Sequence, residues 1–138
     1  EGGLRSRFLP NDIGLGHPGL EDRLDAAFEV WFHTHVRGGE GVVAYPFGWT
    51  QLLRDAGFTN VTARSSMLEV LPPLQSLEVE FMTNLLRRWV ESEERLGFIG
   101  QEDAETINQL IDADGSQYAF NRPDLHYMEG VTVYLGTA

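Results

Sequence analysis

The chain has 138 residues, enough for one compact domain and too few for two ordinary ones. Hydrophobic residues make up 42% and charged residues 22%, which excludes a disordered polymer, and no apolar run reaches the ~18 residues of a membrane span. The 21 acids outnumber 10 bases, all of them Arg, and the net charge of -11 argues against nucleic acid or an anionic membrane as partner. The lack of Cys excludes disulfides and thiolate chemistry and fits a reducing, cytoplasmic setting.

The opening Glu1-Gly2-Gly3 is neither a Met start nor a helix cap, and it reads as a chain entered midway. Residues 4–19 are loop-like, broken by Pro10, Gly14, Gly16, Pro18 and Gly19. Leu20, Leu24, Ala27, Phe28, Trp31, Phe32 and His35 then recur at three and four residues and predict a helix over 19–37, with Glu21, Asp22 and Asp25 complementing its N-terminal dipole. A short apolar stretch at 42–45 is a candidate strand. Trp49, Leu52, Leu53 and Ala56 predict a second helix over 47–56, which Gly57 ends. Residues 59–71, rich in Val, Thr and Ser, read as a strand stopped by Pro72-Pro73. A long apolar stripe from Leu74 through Met82, Leu86 and Trp89 to Leu96 predicts one helix, and Ala104, Ile107, Leu110 and Ile111 a shorter one over 101–113. The last run, 125–135, is β-rich, with a bulge expected at Glu129-Gly130. Two strands alone make no stable sheet, so either 42–45 supplies a third or the rest lies outside this chain.

Several motifs invite chemistry. Gly14-x-Gly16-x-x-Gly19 after Asp12 matches a nucleotide-cradling loop, but Pro10 stands where the required strand should run, and no acid closes a second strand about 20 residues on. His33, His35 and Glu40 spell H-x-H-x4-E, which resembles the first metal motif of cupins. On a helix those two rings diverge by about 200°, so His35 is expected beside Trp31 on the buried face and His33 outside it. Ser65, Ser66 and His126 lack the G-x-S-x-G elbow of a hydrolase. Trp31, Tyr45, Phe47 and Trp49 flank a Gly-rich turn and could wall an apolar pocket.

The stretch from Gly48 to Arg64, with Leu52-Leu53-Arg54-Asp55-Ala56-Gly57-Phe58 followed by Thr59-Asn60-Val61-Thr62-Ala63-Arg64, resembles the late helix-to-strand unit of class I S-adenosylmethionine-dependent methyltransferases. The closing Val131-Thr132-Val133-Tyr134-Leu135-Gly136 is similar to the last, antiparallel strand of that fold, and Glu1-Gly2-Gly3 looks like the end of its fifth strand. The resemblance implies the C-terminal part of a Rossmann-like α/β sheet, with 18–37 and 73–113 as inserted lid helices and an antiparallel terminal strand pair within one partial domain, 1–138. It implies a small-molecule methyl acceptor. S-adenosylmethionine would be bound mainly by an N-terminal half preceding residue 1, and this chain alone would be inactive. Within the chain, Trp31, His35, Tyr45 and Trp49 are then candidates for the acceptor wall, and His35 and His17 for a base. Two alternatives are a standalone module that binds ligand or pairs with another copy of itself, and a small cupin-like metal protein using His33, His35 and Glu40.

Overall fold

A computed structural model describes residues 5–138 as a mixed α/β chain: a helical body from which a two-stranded antiparallel ribbon extends. The expectation for Glu1-Gly2-Gly3 lies outside the described residues. Helix α1 spans Leu20–Phe32 and continues through a π-helical turn, His33–Arg37, so the helical stretch ends where periodicity and Gly38 predict. Helix α2 is Trp49–Asp55 and strand β1 is Thr59–Val70. Helices α3, Ser76–Glu91, α4, Glu93–Leu96, and α5, Gln101–Ile111, follow, and strand β2, Tyr127–Thr137, closes the chain.

The core is helical. Leu20, Leu24 and Ala27 of α1, Met82, Leu86 and Trp89 of α3, and Ile107 and Leu110 of α5 are each at most 8% exposed, at the spacing that puts them on one face of each helix. Phe8, Ile13, Ala119, Leu125 and Tyr127 close this core from the connecting segments and the root of β2. Arg23 fastens α1 to α5 through a forked pair of bonds to Asp103 at 2.7 and 3.0 Å, and also donates to the carbonyl of His17. The loop before α1 lies so close to α5 that a Cβ at Gly16 would stand 2.5 Å from the Thr106 hydroxyl.

The connection from α2 to β1 follows from its sequence. Gly57 adopts φ +95, its N–H bonds the carbonyl of Arg54, and the N–H of Phe58 reaches back to Leu53, each at 3.0 Å. This left-handed close satisfies carbonyls that the helix end would otherwise orphan. Nothing lies within 4 Å of a Cβ built at Gly57. Gly57→Ala should therefore lose about 1 kcal/mol through backbone strain alone, read as a lower urea midpoint with an unchanged slope.

Four expectations are corrected. Residues 42–45 are not a strand and lie exposed, because no sheet edge meets them. The predicted long helix breaks at Ser92, whose extended backbone (φ -91, ψ 111) ends α3 while its hydroxyl accepts from the N–H of Arg95 to start α4. Pairing runs unbroken through Glu129 and Gly130, and the irregularity lies instead between Thr59 and Thr62, where Asn60 takes φ 52. The third strand contact comes from before α1: Arg7 bridges Met128 antiparallel, exchanging bonds of 2.9 and 2.8 Å. Thus β2 lies between the Arg7 segment and β1, antiparallel to both.

The ribbon's two faces are the reverse of an ordinary amphipathic sheet. On β2, Val131, Val133 and Leu135 are 42%, 53% and 57% exposed, while Trp49 of α2 stands over Tyr134 on the opposite face with ring centroids 6.5 Å apart. The apolar row faces solvent.

Candidate functional site

A cleft of about 630 Å³ opens between α1, α3, the segment around Arg7, and the N-terminal end of α2. Glu21, Leu24, Asp25, Phe28, Glu29 and Phe32 line it from α1, at the three- and four-residue steps of one helical face. Leu85, Leu86, Arg88 and Trp89 line it from α3, Trp49 from α2 and Glu129 from β2. Its size suits a small organic ligand, and its wall interleaves aromatic and charged side chains.

The charges are organised by the extended segment before α1. Arg5 and Arg7, two residues apart on one side of that segment, meet a row of acids on α1. Arg5 pairs with Glu29 and stands 3.2 Å from Asp25, and Arg7 stands 2.7 Å from Asp22 and 2.5 Å from the other oxygen of Asp25. The Glu21 carboxylate accepts the N–H groups of Phe8 and Leu9, each at 3.1 Å. Burial nevertheless pushes its pKa up to about 7, against the opposing pull of those bonds and of Arg7. Glu21 is thus a cleft carboxyl that exchanges its proton near neutrality. Across from it, Arg88 has its guanidinium pushed below its ordinary value by desolvation and by the neighbouring Arg95.

Of the residues expected to form an acceptor wall, Trp49 lines this cleft. Trp31 packs on Phe28 at 5.7 Å, beneath Arg95, whose guanidinium lies 4.5 Å from its ring. His35 stacks on Trp31 at 5.9 Å as expected and meets Phe98 edge-on, but it is exposed rather than on a buried face, because the π-helical turn it sits in lies at the surface. Tyr45 lies against Phe47 and donates to Asp55, a bond that holds its phenol above the ordinary value. Trp31 with His35, Tyr45 with Phe47, and Trp49 therefore stand in three places rather than in one wall. His17 sits 3.1 Å from Glu102 on the α5 side and is 74% exposed.

The cupin-type alternative is corrected. His33 turns toward Glu29 and His35 toward Trp31, Glu40 is exposed, and among the described residues no three His, Cys, Asp or Glu side chains gather as a metal site. Ser65 bonds Thr132 across the ribbon at 2.9 Å and His126 bonds Glu69 at 2.6 Å, so these two residues build the sheet rather than a serine–histidine pair. The glycine loop does not fit a cofactor. Among the described residues no strand feeds it, the N–H of Gly14 is taken by the Asp12 side chain at 2.9 Å and that of Gly19 by the carbonyl of Asn11, and Gly16 is packed against Thr106.

Sequence reasoning missed Arg5, Arg7, Glu21 and Arg88. The readable signals were the Arg-x-Arg alternation facing an acidic helix stripe, and an Arg interrupting the apolar spacing from Leu85 to Trp89. Compared with known proteins, no family model, curated sequence or solved structure matches this chain. No helix among the described residues is long and apolar enough to cross a membrane.

Proposed function

We propose that this chain is the C-terminal, acceptor-binding portion of an enzyme that transfers a methyl group from S-adenosylmethionine to a small molecule. The observation that carries the reading is the ribbon. Its apolar row of Val131, Val133 and Leu135 is solvated while the face bearing Tyr134 receives α2, a pattern suited to strands covered on both sides in a larger sheet. The antiparallel position of β2 between the Arg7 segment and β1 agrees with the terminal strand that the resemblance implies. The cleft supports it too, because its two long walls, α1 and α3, are the elements expected as inserted lid helices.

On this reading the cofactor supplies the activated methyl group from outside this chain, and no residue described here holds it. What these residues contribute is binding and orientation. Phe28, Phe32 and Trp49 take the acceptor's apolar body and exclude water, and the charged groups of the cleft fix its polar end, so that much of the barrier is met by positioning.

Calorimetric titration with S-adenosylmethionine tests the reading. The 138 residues should show no micromolar binding, and the protein expressed with the residues encoded upstream should show it. Micromolar binding to the 138 residues alone would mean that the glycine loop holds the cofactor after all. No binding by the longer protein, or no upstream coding sequence, would overturn the methyltransferase reading.

The same bare ribbon favours a second reading, a standalone module whose apolar face is covered by another copy of itself. Light scattering separates the two: a mass that doubles with concentration favours self-association, and a constant monomer mass excludes it.

A further inference from the structure

We propose that the outer edge of β1 takes a second copy of this chain, the two β1 strands pairing antiparallel about a two-fold axis at Ser66 to join both ribbons into one four-stranded sheet. The inference rests on the self-association reading above and moves the contact from the ribbon's apolar face to its edge.

Backbone bonds define that edge. Met128 exchanges bonds of 2.9 and 2.8 Å with Arg7, so its N–H and C=O point away from β1. Along an antiparallel strand this direction alternates from one residue to the next. The neighbours of Met128 therefore point to β1, and by the register Thr62, Arg64, Ser66, Leu68 and Val70 answer that side of β2. The N–H and C=O groups of Ala63, Ser65, Met67 and Glu69 are left along the outer edge. Among the described residues no strand pairs with it, and every residue from Thr62 to Glu69 is exposed. Edge strands are ordinarily blunted by Pro, Lys, a bulge or a covering element. Between Thr62 and Val70, β1 has no Pro, no Lys and no bulge.

The occupant that fits is the same strand. Its one-to-one register with β2 runs unbroken from Thr62 to Val70, with the irregularity at Thr59–Thr62 on one side and Pro72 on the other, and Ser66 is its centre. An axis there sets Ala63 against Glu69 and Ser65 against Met67, so all four free residues of each copy are satisfied. An axis at Arg64 or at Glu69 would oppose like charges. With the axis at Ser66, Arg64 stands beside Leu68 of the second copy, and Glu129 of that copy follows on the same face, about 10 Å from Arg64 between backbones. An arginine and a glutamate side chain together close that span. Arg64 is exposed and forms no ion pair among the described residues, and the two-fold axis makes the pair twice. Strand β1 carries one Arg against one Glu in a chain of net charge -11, so two copies meet here with little local repulsion.

The chain contains no Cys, so a single introduced thiol reports the geometry. Ser66 would face its own counterpart in a non-hydrogen-bonded pair, about 4.5 Å between Cα atoms and within disulfide reach, whereas Ser65 would lie beyond the ~7 Å limit from its counterpart. Incubated with oxidised glutathione, Ser66→Cys should run as a covalent dimer on a non-reducing gel, and Ser65→Cys should give roughly tenfold less of it. Met67→Pro removes an outward N–H and spares the ladder between β1 and β2. It should keep the mass of one chain in light scattering at concentrations where the parent doubles, with circular dichroism checking that it folds; if it does not fold, the two thiol variants decide. A parent that stays monomeric overturns the inference together with the self-association reading. A mass that doubles in the folded Met67→Pro protein as well, or equal cross-linking at 65 and 66, overturns the inference alone and leaves the apolar face as the contact.

Discussion

Trp89→Ala will lower the stability of this protein by about 3–5 kcal/mol, the largest effect expected of any single substitution here. Trp89 is 2% exposed, sits one turn from Leu86 on the buried face of α3, and has Arg95 over its ring. Truncation removes the transfer energy of the indole and leaves a void that α1 and α3 can only partly close. Since domains of this size are stable by about 5–15 kcal/mol, the loss brings the chain close to unfolding at room temperature. Urea unfolding followed by far-ultraviolet circular dichroism reads it as a lower midpoint. Val133→Ala is the control: at 53% exposure it should cost less than about 0.5 kcal/mol. Equal losses would show that the ribbon, not the helical body, carries the core.

The second large effect is on pH dependence and comes from Glu21. Its carboxyl has a folded value of about 7 against 4.5 unfolded, so between those values the folded chain holds a proton that the unfolded chain has released. The stability this contributes is complete below pH 4.5 and is lost as pH rises through 7. At 1.36 kcal/mol per unit, reduced because the side chain is only partly buried, the loss is about 2 kcal/mol. Glu21→Gln keeps an oxygen for the N–H groups of Phe8 and Leu9 and removes the titration. It should match the parent at pH 4 and exceed it by roughly 2 kcal/mol at pH 8 in urea midpoints corrected by the slope. A difference that does not change with pH would mean that water reaches the Glu21 carboxylate freely.

The residues of the cleft are brought together by contacts between segments distant in sequence. Glu21 appears in the sequence as one of three acids complementing a helix dipole, and it does stand in the first turn of α1. Its raised pKa arises from burial in the folded chain, against the opposing bonds from Phe8 and Leu9, twelve or thirteen residues earlier. The sequence places Trp49 in the company of Trp31 and Tyr45, yet it reaches the cleft with Phe28 and Phe32. Short sequence distance between aromatics does not bring them together when a turn of unpaired residues, 42–45, lies between.

Helices α1, α3 and α5, the positions of the two strands and the close at Gly57 are legible in the sequence, because each needs only a local period or one residue free of Cβ strain. Contacts across the fold set the break of α3 at Ser92, bring Arg7 rather than residues 42–45 to β2, and pair the acids of α1 with Arg5 and Arg7. Those outcomes depend on which groups meet across long stretches of chain, where many pairings share the same local pattern and packing and charge choose among them.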